Sequence, residues 1–296
     1  MLFKRKLAII IVLLLLVVLG EIVLRFYGFT HAPLHFASDQ FEYLCSPNQE
    51  GYRFGNYFHY NSYSQRSEEP DTTKKIILGL GDSVINGGVL TDQDSLATTL
   101  FSKSTNMQML NISAGSWGPD NCVAYLNQYG LFRAKALFLL VSSHDAYDNM
   151  EFDPVVGIHK SFPEKNYFLA YCELIDRYLI PRLFPNKKLD PNQQVVAGIH
   201  KNGKTFNTGF DGLKEISLQN GIPFIVYLHA ELSETKAGKY NEQGQQIIDW
   251  AEKNRVCLIK ELDDPLNSDE YRDNIHINMK GQRKLADCMK KIFSDL

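Results

Sequence analysis

Ser83, His276 and Asp273 are the three residue types that an activated serine nucleophile requires. Ser83 closes a Gly81-Asp82-Ser83 triplet after the apolar run Lys75-Ile76-Ile77-Leu78-Gly79-Leu80, and Asp273-x-x-His276 lies near the C-terminus. A serine hydroxyl attacks poorly until a base takes its proton, and the base works best when a carboxylate fixes its tautomer. The chemistry this predicts is attack on an ester carbonyl through an acyl-enzyme. Singly, each motif has a bland reading. Gly-Asp-Ser after a strand commonly caps the next helix, and Asp-x-x-His commonly sits in a surface loop.

The elements that must position these groups argue for the chemistry. The run from Lys75 to Leu80 reads as a buried parallel strand with Ser83 just past its carboxyl end, where open α/β sheets carry their sites. Met107 to Ile112, Ala136 to Ser142, Pro223 to Leu228 and Arg255 to Ile259 read as further strands. Helical stretches alternate with them: Ser95 to Ser104, Asp120 to Tyr129, Tyr240 to Lys253 and Met279 to Phe293. That alternation predicts an α/β class, a three-layer α/β/α domain on a roughly five-stranded parallel sheet. The second strand is followed by Asn111-Ile112-Ser113-Ala114-Gly115-Ser116-Trp117-Gly118 and the third by Ser142-Ser143-His144-Asp145. Four chemistry-bearing segments thus gather at one edge.

At the N-terminus, Lys4-Arg5-Lys6 precede an apolar run from Leu7 to Leu24 broken only by Gly20 and Glu21. Its length reaches the ~18 residues that span a bilayer, and the basic cluster places the N-terminus in the cytoplasm. No small-x-small cleavage site follows, so an uncleaved anchor is expected over a signal peptide. Glu21 and Arg25, one turn apart, can pair at the interface. Three segments follow: an anchor over 1–27, a loosely packed stalk over 28–73, and a catalytic domain over 74–296 with an insertion at about 149–210. The insertion holds an expected helix from Tyr167 to Leu183, ended by Pro181 and Pro185.

A net charge of -3 and no basic stripe beyond the N-terminus argue against nucleic-acid binding. Five scattered cysteines without C-x-x-C offer no zinc site, and Cys257 reads as a buried apolar filler. Asp145 and Asp148 beside His144 make a weak metal case. No cofactor or metal is expected. His229 reads as a satisfied histidine at a strand end, and Tyr167, Phe168, Tyr171 and Tyr178 read as packing the insertion onto the domain.

On these motifs the chain resembles the SGNH/GDSL hydrolase superfamily, and more closely its membrane-anchored, extracytoplasmic branch. Gly81-Asp82-Ser83 is similar to the nucleophile block, Asn111 to Gly118 to the second block, and Asp273-x-x-His276 to the last. Asn61-Ser62-Tyr63-Ser64-Gln65-Arg66 is similar to a segment before the nucleophile strand in anchored members. The resemblance implies a flavodoxin-like sheet, Ser83 as nucleophile, His276 as base and Asp273 as its orienting carboxylate. It also implies an oxyanion hole from the backbone of Ser83 and of Gly115 or Ser116. The third block departs: Ser142-Ser143-His144-Asp145 stands where the family reads Gly-x-Asn-Asp. A neutral imidazole at His144 still offers one N–H for the asparagine's role. The implied function is an inner-membrane, single-pass serine esterase or O-acyl(acetyl)transferase. Its catalytic domain would be periplasmic, acting on acylated cell-envelope carbohydrate. The alternative is a degenerate domain that binds polysaccharide or an envelope partner without turnover.

Overall fold

The computed structural model describes residues 2–184, 199, 201, 203–294 and 296. Pro185 and the rest of 149–210 beyond those ranges lie outside the described residues.

Two short hairpins come first: β1 (His35–Ser38) with β2 (Glu42–Cys45), and β3 (Gln49–Arg53) with β4 (Asn56–Tyr60). The main sheet follows, from β5 (Lys75–Gly81), β6 (Met107–Ser113), β7 (Ala136–Val141), β8 (Phe224–Leu228) and β9 (Cys257–Lys260). All its neighbours are parallel, in the order β6-β5-β7-β8-β9. Central strands covered on both faces need continuous apolar runs, and β7 and β8 are buried at every residue.

Alternate side chains divide between two cores. Leu137 and Leu139 face the helices Pro119–Tyr129, Gly209–Asn220 and Glu242–Asn254 through Cys122, Tyr125, Phe210, Leu213 and Trp250. Phe138 and Leu140 face the helices Ala97–Ser104 and Met279–Ile292 through Phe101, Leu285 and Met289. The expected α/β/α layering and five parallel strands are present, with strand ends within two residues of the sequence reading. From β5 the chain moves outward to β6 and then back across to β7. The carboxyl ends of β5 and β7 therefore flank a topological switch point, where such sheets open a crevice.

Several expectations need correction. The region read as a loose stalk is packed into the domain: Phe41, Tyr43 and Leu44 are buried in the same core as Trp117 and Tyr125. Strands of four or five residues are too short for alternation to register in sequence. The helix Gly209–Asn220 escaped notice because two glycines weaken its helical signal. Those glycines permit close packing: a Cβ on Gly212 would stand 2.9 Å from Val123, and one on Gly209 would collide with the Pro119–Asp120 backbone. The insertion helix begins at Ala170, not Tyr167, and Pro181 does not end it. A π turn over Leu174–Leu179 intervenes before Ile180–Leu183, which contains the proline. Cys257 is exposed, because β9 is the edge strand.

The N-terminal helix is Leu2–Phe26. Within it, the 24 residues Phe3–Phe26 are long and apolar enough to cross a membrane, roughly 36 Å at a 1.5 Å rise against a ~30 Å hydrocarbon core.

Candidate active site

The turn that carries Ser83 is built on a close approach between strands. Gly81 has φ +150°, and a Cβ there would stand 2.4 Å from the Leu140 carbonyl, so only glycine lets β5 end here. Buried Asp82 then accepts the Val84 N–H at 2.8 Å, capping the short helix Ser83–Asn86 and placing Ser83 at its first position. The Nδ2 of Asn111 donates to the Ile85 carbonyl at 2.8 Å, and that of Asn86 donates to Ser113 O at 3.0 Å. From the opposite side, fully buried Arg66 donates to the carbonyls of Asn86 and Gly88 at 2.6 Å and of Thr91 at 2.7 Å. The segment 61–66 thus clamps the chain that leaves the nucleophile.

Ser83 Oγ lies 2.9 Å from His276 Nε2, and His276 Nδ1 lies 2.8 Å from Asp273 Oδ2. Asp273 Oδ1 also accepts the backbone N–H groups of His276 at 2.7 Å and Ile275 at 2.9 Å. Burial raises the Asp273 carboxyl, but these amides and the His276 imidazole beside it outweigh that and hold the group below its ordinary value. The sequence reading of three separated residues is therefore one contiguous chain of hydrogen bonds.

His229 supports that loop. Its Nε2 lies 2.7 Å from the Ile275 carbonyl and its Nδ1 2.7 Å from Glu261 Oε2. Two acceptors require two N–H groups, so the ring is an imidazolium. Burial is the largest single effect and would lower its pKa, but Glu261, the Ile275 carbonyl and Asp82 together outweigh it and lift it to about 9. The satisfied strand-end histidine expected from sequence is present, and it secures the backbone between Asp273 and His276.

Opposite the base, the Gly115–Ser116 turn is held by Tyr43. The Tyr43 hydroxyl lies 2.9 Å from Gly115 O and 3.2 Å from Ser116 O, and Trp117 Nε1–H donates to Tyr43 O at 2.9 Å. Ser116 sits at φ +59°, and of the pair it is Ser116 that lines the cavity above Ser83.

His144 lines the same cavity. Its Nδ1 lies 3.3 Å from Glu231 Oε1. Its Nε2 stands 3.8 Å from Asp82 Oδ2 and 4.0 Å from Asp148 Oδ2, beyond hydrogen-bond range of both. Burial would lower the ring's pKa, but Asp145, Glu231, Asp82 and Asp148 together raise it to about 10. Against the neutral imidazole of the sequence expectation, the surrounding carboxylates favour the protonated ring. Burial and the Asp82 charge push the Asp145 carboxyl well above the carboxylate range, so His144 is balanced chiefly by Glu231, Asp82 and Asp148. Asp82, His144 and Asp145 each bring a ligand atom within 4.8 Å of the others, the one group of three or more of its kind found among the described residues.

Glu231 and Tyr43 were not singled out in the sequence, whereas Arg66 closes the segment from Asn61 that was. Glu231 had a signal, since it follows the carboxyl end of β8 as Ser83 follows that of β5. Tyr43 had none.

The cavity holds about 620 Å³, and Tyr147, Asp148, Lys201 and Gln243 also line it. No model of a known protein family matches the chain. No curated protein matches it either. Solved structures similar to it include a member of the lipolytic protein G-D-S-L family from Veillonella parvula, at 12% identity and TM-score 0.45, covering 75% of this chain and 100% of that one. The esterase EstA from Pseudoalteromonas is similar at 16% identity and TM-score 0.39, covering 74% of this chain and 96% of that one. Est24, a carbohydrate acetylesterase from Sinorhizobium meliloti, is similar at 11% identity and TM-score 0.39, covering 75% and 99%. Likeness at this level carries no inference about chemistry, which has to come from the site itself.

Proposed function

We propose that the protein is a membrane-anchored serine esterase or O-acyltransferase acting on acyl groups ester-linked to cell-envelope carbohydrate. The observation that carries this reading is the unbroken path from Asp273 through His276 Nδ1 and Nε2 to Ser83 Oγ, at 2.8 and 2.9 Å. His276 takes the Ser83 proton as Oγ bonds to the ester carbonyl carbon, and Asp273 stabilises the imidazolium that forms. The carbonyl oxygen becomes an oxyanion facing the backbone N–H of Ser83, that of Gly115 or Ser116, and the Nε2–H of His144. Each such donor contributes ~2.7–4 kcal/mol in the transition state. Collapse breaks the ester C–O bond, His276 returns the proton to the leaving alcohol, and the acyl group remains on Ser83. Water, or a second alcohol, then takes it by the reverse path.

A cavity of this size with Tyr147, Asp148, Lys201 and Gln243 on its walls suits a short acyl group on a polyhydroxylated alcohol. The anchor reading draws support from Glu21 and Arg25, which bond each other at 2.8 Å and also engage the domain, as a retained segment would. The domain is then extracytoplasmic.

The test is intact-mass analysis of the full chain after treatment with a serine-directed phosphonate. One adduct, lost in Ser83→Ala together with acetate release from an aryl acetate, is the expected result. A folded chain that takes no label would favour a binding module without turnover. Acetylated envelope sugar as donor, with water or an unacetylated sugar as acceptor, separates hydrolysis from transfer.

A further inference from the structure

The helical segment 170–183 carries an apolar stripe on its outer face. Phe168, Cys172, Ile175, Leu179 and Leu183 recur at intervals of four, three, four and four, and all are exposed, Phe168 at 88% and Leu183 at 68%. Such spacing places Cys172, Ile175, Leu179 and Leu183 along one side of the helical segment, with Phe168 just before its start. The opposite side faces the domain through an ion-pair cluster. Buried Glu173 pairs with buried Arg53 and accepts the Thr30 N–H at 2.6 Å, while Tyr178 packs edge-on against Phe29 and Phe54. The segment is therefore held with its apolar side outward, which a water-facing helix does not do.

The same segment is tied to the end of the apolar N-terminal helix. Glu21 accepts the backbone N–H groups of Ala170 at 2.8 Å and Tyr171 at 3.2 Å, Arg25 donates to the Phe168 carbonyl, and the Tyr171 ring lies against Gly20. Gly20, Glu21 and Leu24 are the partly covered residues of that helix, so the two part company beyond Tyr171. Phe26 and Tyr27, at the end of the helix, are exposed as well. The acidic residue that interrupts the apolar run thus caps a second helix where the first leaves the membrane.

We propose that the segment 168–183 lies in the headgroup region of the same bilayer that the N-terminal helix spans, its stripe against the acyl chains. This rests on the anchor reading above. An amphipathic helix beside a span buries apolar area in the interface and fixes how the domain stands on the membrane. Continuity with the span's end singles out lipid as the occupant, rather than a protein partner.

The experiment uses the full chain in phosphatidylcholine–phosphatidylglycerol vesicles. Cys257→Ser and Cys288→Ser leave Cys172 as the exposed cysteine for a nitroxide label, and Ile175→Cys or Leu179→Cys in a Cys172→Ser background moves the label along the stripe. Cys257 labelled alone is the control. At the stripe positions, oxygen should relax the label several-fold more effectively, relative to a water-soluble nickel chelate, than at Cys257. Chelate access equal to that at Cys257, in a chain that floats with the vesicles, overturns the proposal and leaves the anchor reading intact. A label shielded from both reagents means that protein covers the stripe, and also overturns it. A chain that does not float overturns both.

Discussion

His144 Nδ1 lies 3.3 Å from Glu231 Oε1, and the second oxygen of Glu231 accepts from Asn274 Nδ2 at 2.9 Å. Asn274 stands between Asp273 and Ile275, so one carboxylate joins the imidazole on the β7 side of the cavity to the loop that carries His276. The contact also decides which nitrogen can act. Glu231 keeps a proton on Nδ1, and a neutral ring would then present Nε2 to the cavity as an acceptor. Only the imidazolium donates from both nitrogens.

The first prediction is a pH effect. Since His144 titrates at about 10, kcat should hold through neutral pH and fall as pH passes through about 10, after correction for hydroxide hydrolysis. Glu231→Gln keeps an acceptor but removes its charge, so the fall should move to lower pH. His144→Asn should abolish it. A profile unchanged in both variants would remove His144 from the oxyanion hole.

The second concerns His144 at pH 7. An asparagine can donate from nearly the same place, so His144→Asn should keep activity within about tenfold. His144→Ala should lose about a hundredfold in kcat with little change in KM, because the bond strengthens as the carbonyl oxygen becomes charged. Alanine as active as the native chain would make His144 structural.

Tyr43→Phe tests the brace on the Gly115–Ser116 turn. Loss of one hydroxyl that serves two carbonyls should lower stability by about 1–2 kcal/mol in urea unfolding. It should also lower kcat while phosphonate labelling of Ser83 persists. A drop in stability alone would confine Tyr43 to packing.

His229 makes stability depend on pH. Its folded value, about 9, lies above the ordinary 6.5, so the native chain holds this proton more tightly than the unfolded chain does. The contribution is full below about pH 6.5 and is lost as pH rises towards about 9. His144 acts in the same direction over its own window. Urea midpoints should therefore decline over the alkaline range, and His229→Gln should flatten part of that decline. An equal slope in the variant would show that His229 is not the group responsible.

The group of Asp82, His144 and Asp145 gives the last prediction. A metal would have to displace the proton that the surrounding carboxylates favour on His144. Prolonged treatment with a chelator should leave ester turnover unchanged. Loss of activity restored by zinc would make this group a metal centre instead.

The sequence by itself determined the sheet and brought forward Ser83, His276 and Asp273 as one set. Long apolar runs such as Lys75–Gly81 and Ala136–Val141 are legible because a strand buried on both faces has no room for polar residues. Ser83 and Asp273-x-x-His276 stand out because the order of elements forces them to one edge. Tertiary structure alone decided what surrounds them. Tyr43, Arg66 and Glu231 act through contacts across 72, 20 and 87 positions of chain, and no local pattern records a partner so distant. The charge on His144 follows the same logic: Asp145 and Asp148 are its neighbours in sequence, but Asp82 and Glu231 reach it from other strand ends, and that convergence exists only once the chain has folded.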